Sequence, residues 1–378
     1  MQKLNSLQAL RGLAALFVVI FHYHFRLGGP DEHALEYWHS IFGWSFIGVD
    51  IFFVISGFIM VYTTCQHSPG IVTSGKFLLN RMIRILPLYY LLLFFAFLLN
   101  GALYLLDNEE SARNLISALT FTVSTIAVSP QYIDLEQMYN VRWTLNYELY
   151  FYLVFALCLL FRQRILPLLA WAAAAVFIIP ALFGHAPTLN IHGYQVEHAL
   201  WGFLSNPVIL DFVVGALAGG LYVKLEKAAR QRWLQQLALS LALVMVFTIV
   251  MGLYTQHLYL LSLRLGVAIG ITILLLSIAE PVLHNYIPRI ALYAGNISFS
   301  LYLSHNTINY FVFDHLGDKA TSMPAILGLI ALCITLSLAL SHCTWKYIEV
   351  GLTRWLKAKL LAPSTTWHQG QVTSERTG

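Results

Sequence analysis

Ten apolar stretches, each long enough to cross a lipid bilayer, leave this 378-residue chain few folds to choose from. They lie at about residues 7 to 26, 46 to 66, 85 to 106, 144 to 161, 165 to 183, 208 to 223, 234 to 254, 263 to 279, 290 to 313 and 323 to 345. A hydrocarbon core ~30 Å thick is spanned by about 20 helical residues. Inside it the backbone must satisfy its own hydrogen bonds, which a helix does within a single segment. The expectation is an all-α polytopic membrane protein of about ten transmembrane helices. Composition agrees, with 58% hydrophobic and 11% charged residues, against roughly 25% charged in soluble domains. The formal charge of +4 is spread over short connecting segments rather than gathered in a patch, which argues against a nucleic-acid partner.

Topology follows from where Lys and Arg fall. They gather before the first stretch (Lys3), after the second (Lys76, Arg81, Arg84), after the fourth (Arg162, Arg164) and after the sixth (Lys224, Lys227, Arg230, Arg232). They recur after the eighth (Arg289) and after the tenth (Lys346, Arg354, Lys357, Lys359). By the positive-inside rule these regions are cytoplasmic, and both termini with them. Loops 27 to 45 and 184 to 207 hold His and carboxylates with almost no Lys or Arg, so they belong outside.

Segment 112 to 129 breaks the alternation, because a crossing there would put Arg162 and Arg164 outside. Residues 107 to 142 are therefore read as a re-entrant or interfacial hairpin on the outer side; an eleventh span is the alternative. With no internal repeat or linker, residues 1–361 are expected to form one domain and 362–378 a disordered cytoplasmic tail. The first apolar stretch lacks a small-residue cleavage site and is not expected to be a cleaved signal. Cys65, Cys158, Cys333 and Cys343 show neither paired nor metal-ligand spacing, so free thiols and no metal are expected.

Against that background, ionisable residues inside the apolar stretches are the functional candidates. Arg11 and His22 are eleven residues apart, which on a helix brings them to within roughly 20° of one face, about 16 Å apart along the axis. With the topology above, His22, Asp50 and Glu148 share one outer-leaflet layer, and His305 lies somewhat nearer the middle. Ser298, Tyr302, His305 and Asn309 follow at steps of 4, 3 and 4, one polar stripe on an apolar helix. Each has a plainer use: Arg11 can snorkel, Asp50 can cap a helix, and His305 can hydrogen-bond a neighbouring helix. Coincidence of depth favours a shared site. His24, His185, His192, His198, His257 and His315 are expected at interfaces. Toward the other side, Arg81 and Arg84 stand at i and i+3 with Lys76 upstream, a pattern that suits phosphates as well as topology.

The order of these motifs resembles that of the integral-membrane acyltransferase-3 family. The resemblance rests on the Arg-x10-His of Arg11 and His22, GVDIFFVISGF around Asp50, RMIRILPLYY around Arg84, WTLNYELYFY around Glu148, SFSLYLSH ending at His305, and YIE at Tyr347 to Glu349. The opening MQKLNSLQALRGLAAL is similar to ExoZ-like exopolysaccharide O-acetyltransferases of that family. One departure is Gly351, where many relatives carry proline.

This resemblance implies acyl transfer, usually of acetyl from cytoplasmic acetyl-CoA, to a hydroxyl of a cell-envelope glycan, in the inner membrane of a bacterium. It implies His22 as the essential histidine and general base, Arg11 as its motif partner and Asp50 and Glu148 as functional carboxylates. Arg81, Arg84 and Lys76 would bind CoA, and Tyr302, His305, Trp143 and Tyr152 would line the substrate path. Either Asp50 or Glu148 could hold His22 in the manner of a hydrolase triad. Expected partners are acetyl-CoA, a polysaccharide or lipid-linked glycan acceptor, the lipid bilayer and, for a homo-oligomer, a second copy of the chain. A proton-coupled transporter or glycan exporter is the alternative class, since buried His, Asp, Glu and Arg serve such proteins too.

Overall fold

The computed structural model describes residues 3–28, 32–99, 109–134 and 139–361, and every regular element among them is a helix. The first part comprises α1 (Asn5–Gly28), α2 (Glu32–Phe42), α3 (Ile47–Thr64), α4 (Ile71–Leu99), α5 (Glu109–Thr120) and α6 (Arg142–Cys158). There follow α7 (Ile165–Leu182), α8 (Ala199–Ser205), α9 (Ile209–Leu225) and α10 (Arg232–Tyr254). The last are α11 (Leu263–Ile278), α12 (Arg289–Leu316), α13 (Met323–Thr344) and α14 (Thr353–Leu360).

Seven helical runs among the described residues are long and apolar enough to cross a membrane. The other three expected spans fall short for readable reasons. α11 has 16 residues and α6 has 17, while α12 has 28 but is diluted by its polar stripe. The less apolar helices, α6 and α12, are those that carry Glu148 and His305.

Three segments depart from the sequence reading. α4 begins at Ile71 rather than near residue 85, because the basic stretch around Arg81 and Arg84 continues the same helix. The 27 to 45 loop contains α2 and a 3-10 turn at Gly43–Phe46. In the expected hairpin, residues 107, 108 and 135–138 lie outside the described residues, as does the 362–378 tail. The remainder is α5, whose 12 residues reach only about 18 Å, followed by irregular backbone folded into the protein. Tyr89 and Tyr90 of α4 donate to the Ala118 and Leu119 carbonyls at 2.8 and 2.9 Å, laying α5 against α4. Tyr147 donates to Pro130 O at 2.9 Å, and Tyr132 and Ile133 are fully buried.

Close helix contacts hold the bundle where small residues permit. Without a hydrophobic force between helices in lipid, association relies on packing of this kind. A Cβ at Gly215 of α9 would stand 1.9 Å from Val54 O, and one at Gly57 of α3 would stand 2.0 Å from Phe212 O. At the crossing of α1 and α12, a Cβ at Gly295 would stand 1.9 Å from Gln8 O. That crossing brings His22 and His305 together further along.

Two polar devices fix the end of the bundle that carries Lys3, Arg81 and Arg84, here called the basic end. Glu280 accepts from Asn5 N at 2.7 Å and Ser6 N at 2.9 Å, placing a carboxylate on the orphan N–H groups at the start of α1. Pro87 interrupts α4 and leaves the Ile83 carbonyl without its helical donor. The hydroxyl of Thr353 in α14 supplies one at 3.4 Å.

Candidate active site

A cavity of about 340 Å³ opens among α1, α3, α4, α6 and α12, with Lys3, Arg81 and Arg84 in its wall. Its polar lining includes Arg11, Glu148, Tyr152 and Tyr302. Six of the residues singled out from sequence, contributed by four helices, therefore share one cavity: Arg11, Arg81, Arg84, Glu148, Tyr152 and Tyr302.

Its charges are poorly matched within the protein. Among the described residues, the ion pair recorded within 4 Å is the surface pair Arg113 and Glu109. Arg11, Arg81 and Arg84 donate no hydrogen bond to a described residue. Arg81 instead lies over the rings of Tyr152 and Phe77, at 5.2 and 5.5 Å from their centroids. Glu148 Oε1 accepts from Tyr152 OH and, at 3.4 Å, from Ser56 Oγ. Glu349 takes the amide of Ser300 at 3.1 Å and its hydroxyl, within electrostatic range of Arg84 and Arg11. Three guanidinium groups thus face a cavity with no acceptor bound to them.

The histidines lie beyond the far end of this cavity. Tyr302 lines it, donates or accepts across 2.6 Å with Thr144 Oγ1, and lies 6.1 Å ring to ring from His305. The His305 and His22 rings are 5.1 Å apart. His305 is fully buried, and its Nδ1 bonds the Leu301 carbonyl at 3.0 Å. A carbonyl only accepts, so Nδ1 carries the proton and Nε2 is a lone pair. That Nε2 is buried with no hydrogen-bond partner. His22 makes no hydrogen bond with a described residue, so its tautomer is free to be set by whatever binds.

Five expectations need correction. Asp50 does not reach His22: its Oδ1 accepts from Leu261 N at 2.8 Å, and its carboxyl lies near that of Asp211, buried between α3 and α9, with Oδ2 of each lacking a hydrogen-bond partner among the described residues. Nor does Glu148 hold His22, because its bonds run to Tyr152 and Ser56. Trp143 is a core residue, packed between Phe46 at 6.3 Å and Phe53 at 6.2 Å, and Lys76 is exposed outside the cavity wall. His24 is buried rather than interfacial, bonding Phe21 O at 2.5 Å and His39 Nδ1 at 3.1 Å.

The sequence reading also missed Asp211 and the cavity residues Lys3 and Ser56. Asp211 sits in an apolar run like that of Asp50, so depth alone could have paired them. Glu349 belonged to a quoted motif but had been given no role there.

A helical membrane bundle with a cation-lined cavity, and a histidine pair beyond Tyr302 in its wall, is the class this architecture defines. The chain belongs to the acyltransferase-3 family, whose model, described as an acyltransferase domain, matches residues 4–342. It is 33% identical over 195 residues to the exopolysaccharide production protein ExoZ of Rhizobium meliloti (strain 1021), covering 51% of this chain and 56% of that protein. It is 24% identical to a Staphylococcus aureus (strain COL) protein carried under a provisional O-acetyltransferase name, over 92% of this chain and 57% of that protein. The chain thus spans little more than half the length of these relatives. No solved structure matches it.

Proposed function

We propose that this protein is a ten-span O-acetyltransferase of the bacterial inner membrane that moves acetyl from cytoplasmic acetyl-CoA to a hydroxyl of an exported or envelope polysaccharide. The observation that carries this reading is the cavity at the basic end, lined by Arg11, Arg81 and Arg84 with no acceptor for any of them among the described residues. Unpaired guanidinium groups in a partly buried cavity suit a polyanionic ligand, and CoA brings phosphates at one end and a thioester at the other. The family and the ExoZ name support acyl transfer, and the clustering of Lys and Arg supports a cytoplasmic basic end with both termini inside.

In this reading Arg81 and Arg84 bind the phosphates, and the extended pantetheine arm runs past Tyr302 toward the histidine pair. The thioester carries a good leaving group. The acceptor is the weak partner, because a sugar hydroxyl gives up its proton only as it attacks. His22 takes that proton as the new C–O bond forms. Collapse of the tetrahedral intermediate breaks the C–S bond, and the proton passes from the imidazolium to the departing CoA thiolate. His305, whose ring lies 5.1 Å from that of His22 and whose Nε2 lone pair has no partner among the described residues, takes the role first sought in a carboxylate once His22 turns an N–H toward it. Glu148, held by Tyr152 and Ser56, balances Arg11 in the cavity.

The test is acetyl-CoA turnover by the purified full chain in lipid nanodiscs, with free thiol as the readout and glycan extract as acceptor. Thiol release that depends on extract and is lost in Arg84→Ala supports the reading. Extract-dependent release that is equal in wild type and Arg84→Ala would sink the cavity as donor site. A protein that moves protons along a gradient without consuming acetyl-CoA would return the transporter alternative.

A further inference from the structure

At the end opposite the basic cavity, α1 carries a cation that neither the donor site nor the positive-inside pattern explains. Arg26 stands four residues beyond His22, one turn further on nearly the same face, about 6 Å along the axis. Its guanidinium lies 4.7 Å from the centroid of the Phe313 ring and 5.2 Å from that of Tyr310. Its Nε donates to Asn309 Oδ1 at 3.1 Å. Two aromatic rings and a carboxamide therefore fix the plane of the fork, while Nη1 and Nη2 donate to no described residue.

Arg26 also ends a continuous polar row. Asn309 Nδ2 donates to Asn306 Oδ1 at 3.3 Å, and Asn306 Nδ2 donates to Asn140 Oδ1 at 2.7 Å. Asn140 precedes α6, and Asn306 and Asn309 stand on α12, so the row runs from the start of α6 across α12 to the half-buried guanidinium. A cation held for topology alone needs no such scaffold, and a side chain snorkelling to the interface would keep its rotamers free.

We propose that Arg26 is an acceptor subsite that binds an anionic oxygen pair, a carboxylate or phosphate, carried by the acceptor glycan. This deepens the reading above and rests on it. The free edge of a guanidinium matches such a group with two parallel N–H···O bonds. Its place one helical turn past His22 would set a hydroxyl of the same or the next sugar ring against the base. The acceptor class is then an acidic glycan, bearing uronate, acidic ketal or phosphate groups, rather than a neutral one.

The experiment measures binding without any donor, so its failure leaves acetyl-CoA turnover at the basic end as a separate question. Full-length protein in phosphatidylcholine nanodiscs is titrated with trigalacturonate, with its carboxyl-reduced neutral counterpart, and with galactose 1-phosphate against galactose. Wild type should favour one or both anionic probes over their neutral partners by about tenfold, the scale of one charge-assisted pair. Arg26→Gln should erase that preference with an unchanged thermal unfolding midpoint. Arg26→Lys should keep part of it, because an ammonium keeps the charge but not the fork. No anionic preference in wild type, or a preference undiminished in Arg26→Gln, overturns the subsite. Loss of the preference when phosphatidylglycerol is added to the nanodiscs would assign the fork to lipid headgroups and overturn it equally.

Discussion

Asp50 and Glu148 read alike in the sequence, as carboxylates near the starts of apolar helices, yet they end in opposite kinds of surroundings. On the α3, α9 and α11 side, glycines bring backbones into contact and Asp50 is sealed against Asp211 and the Leu261 amide. Where α1, α3, α4, α6 and α12 line the cavity, Glu148 shares it with three guanidinium groups that donate to no described residue. The seam buries its carboxyls away from the cavity, with Asp50 held through one oxygen by the Leu261 amide. The cavity instead presents guanidinium groups that donate to no described residue, the donors a polyanion would take.

That contrast can be broken experimentally, and the largest expected effect lies at the end of the cavity. His22→Ala should lower glycan acetylation by at least ~10²-fold in a complemented knockout, the scale of general-base assistance, with normal membrane insertion. More than a few per cent residual acetylation would remove His22 from the chemistry. Glu148→Gln should cost about tenfold or more in turnover, since the variant keeps the shape but loses the charge that faces Arg11. Arg84→Ala should weaken CoA binding by about tenfold while leaving a short pantetheine thioester unaffected, because only CoA offers phosphates. Equal losses on both ligands would reduce Arg84 to a topological anchor.

The smallest effects on turnover belong to the seam. Gly215→Ala should destabilise the fold by about 2 kcal/mol through overpacking against Val54 O, read as a lower unfolding midpoint in detergent. Specific activity of the folded fraction should be retained. Asp50→Asn should change turnover by less than about threefold, because the side chain is buried in the seam away from the cavity and the amide oxygen can still accept from Leu261 N. A loss in Asp50→Asn as deep as that in Glu148→Gln would erase the distinction between seam and cavity.

Much of this was legible in one dimension. Hydropathy and length determined the helical class, because the bilayer imposes a span and forbids unsatisfied backbone. The eleven-residue step put Arg11 and His22 on one face of α1 because helical geometry is fixed. The motif order determined the family. What the sequence alone determined were properties of single segments and of their order.

Pairings between segments were decided only by the tertiary structure. Depth suggested that Asp50 would serve His22, but depth is one coordinate, and rotation of α3 turns Asp50 toward α9 and Asp211 instead. The glycines of that seam let the two backbones come this close, Gly57 against Phe212 O and Gly215 against Val54 O. His305 became the neighbour of His22 through the crossing of α1 and α12 at Gly12 and Gly295, a contact between residues nearly three hundred positions apart. Nothing in the sequence singled out Arg26; α12 supplies the two rings and the asparagine around it. Periodicity fixes which residues share a face, and only packing fixes what that face meets.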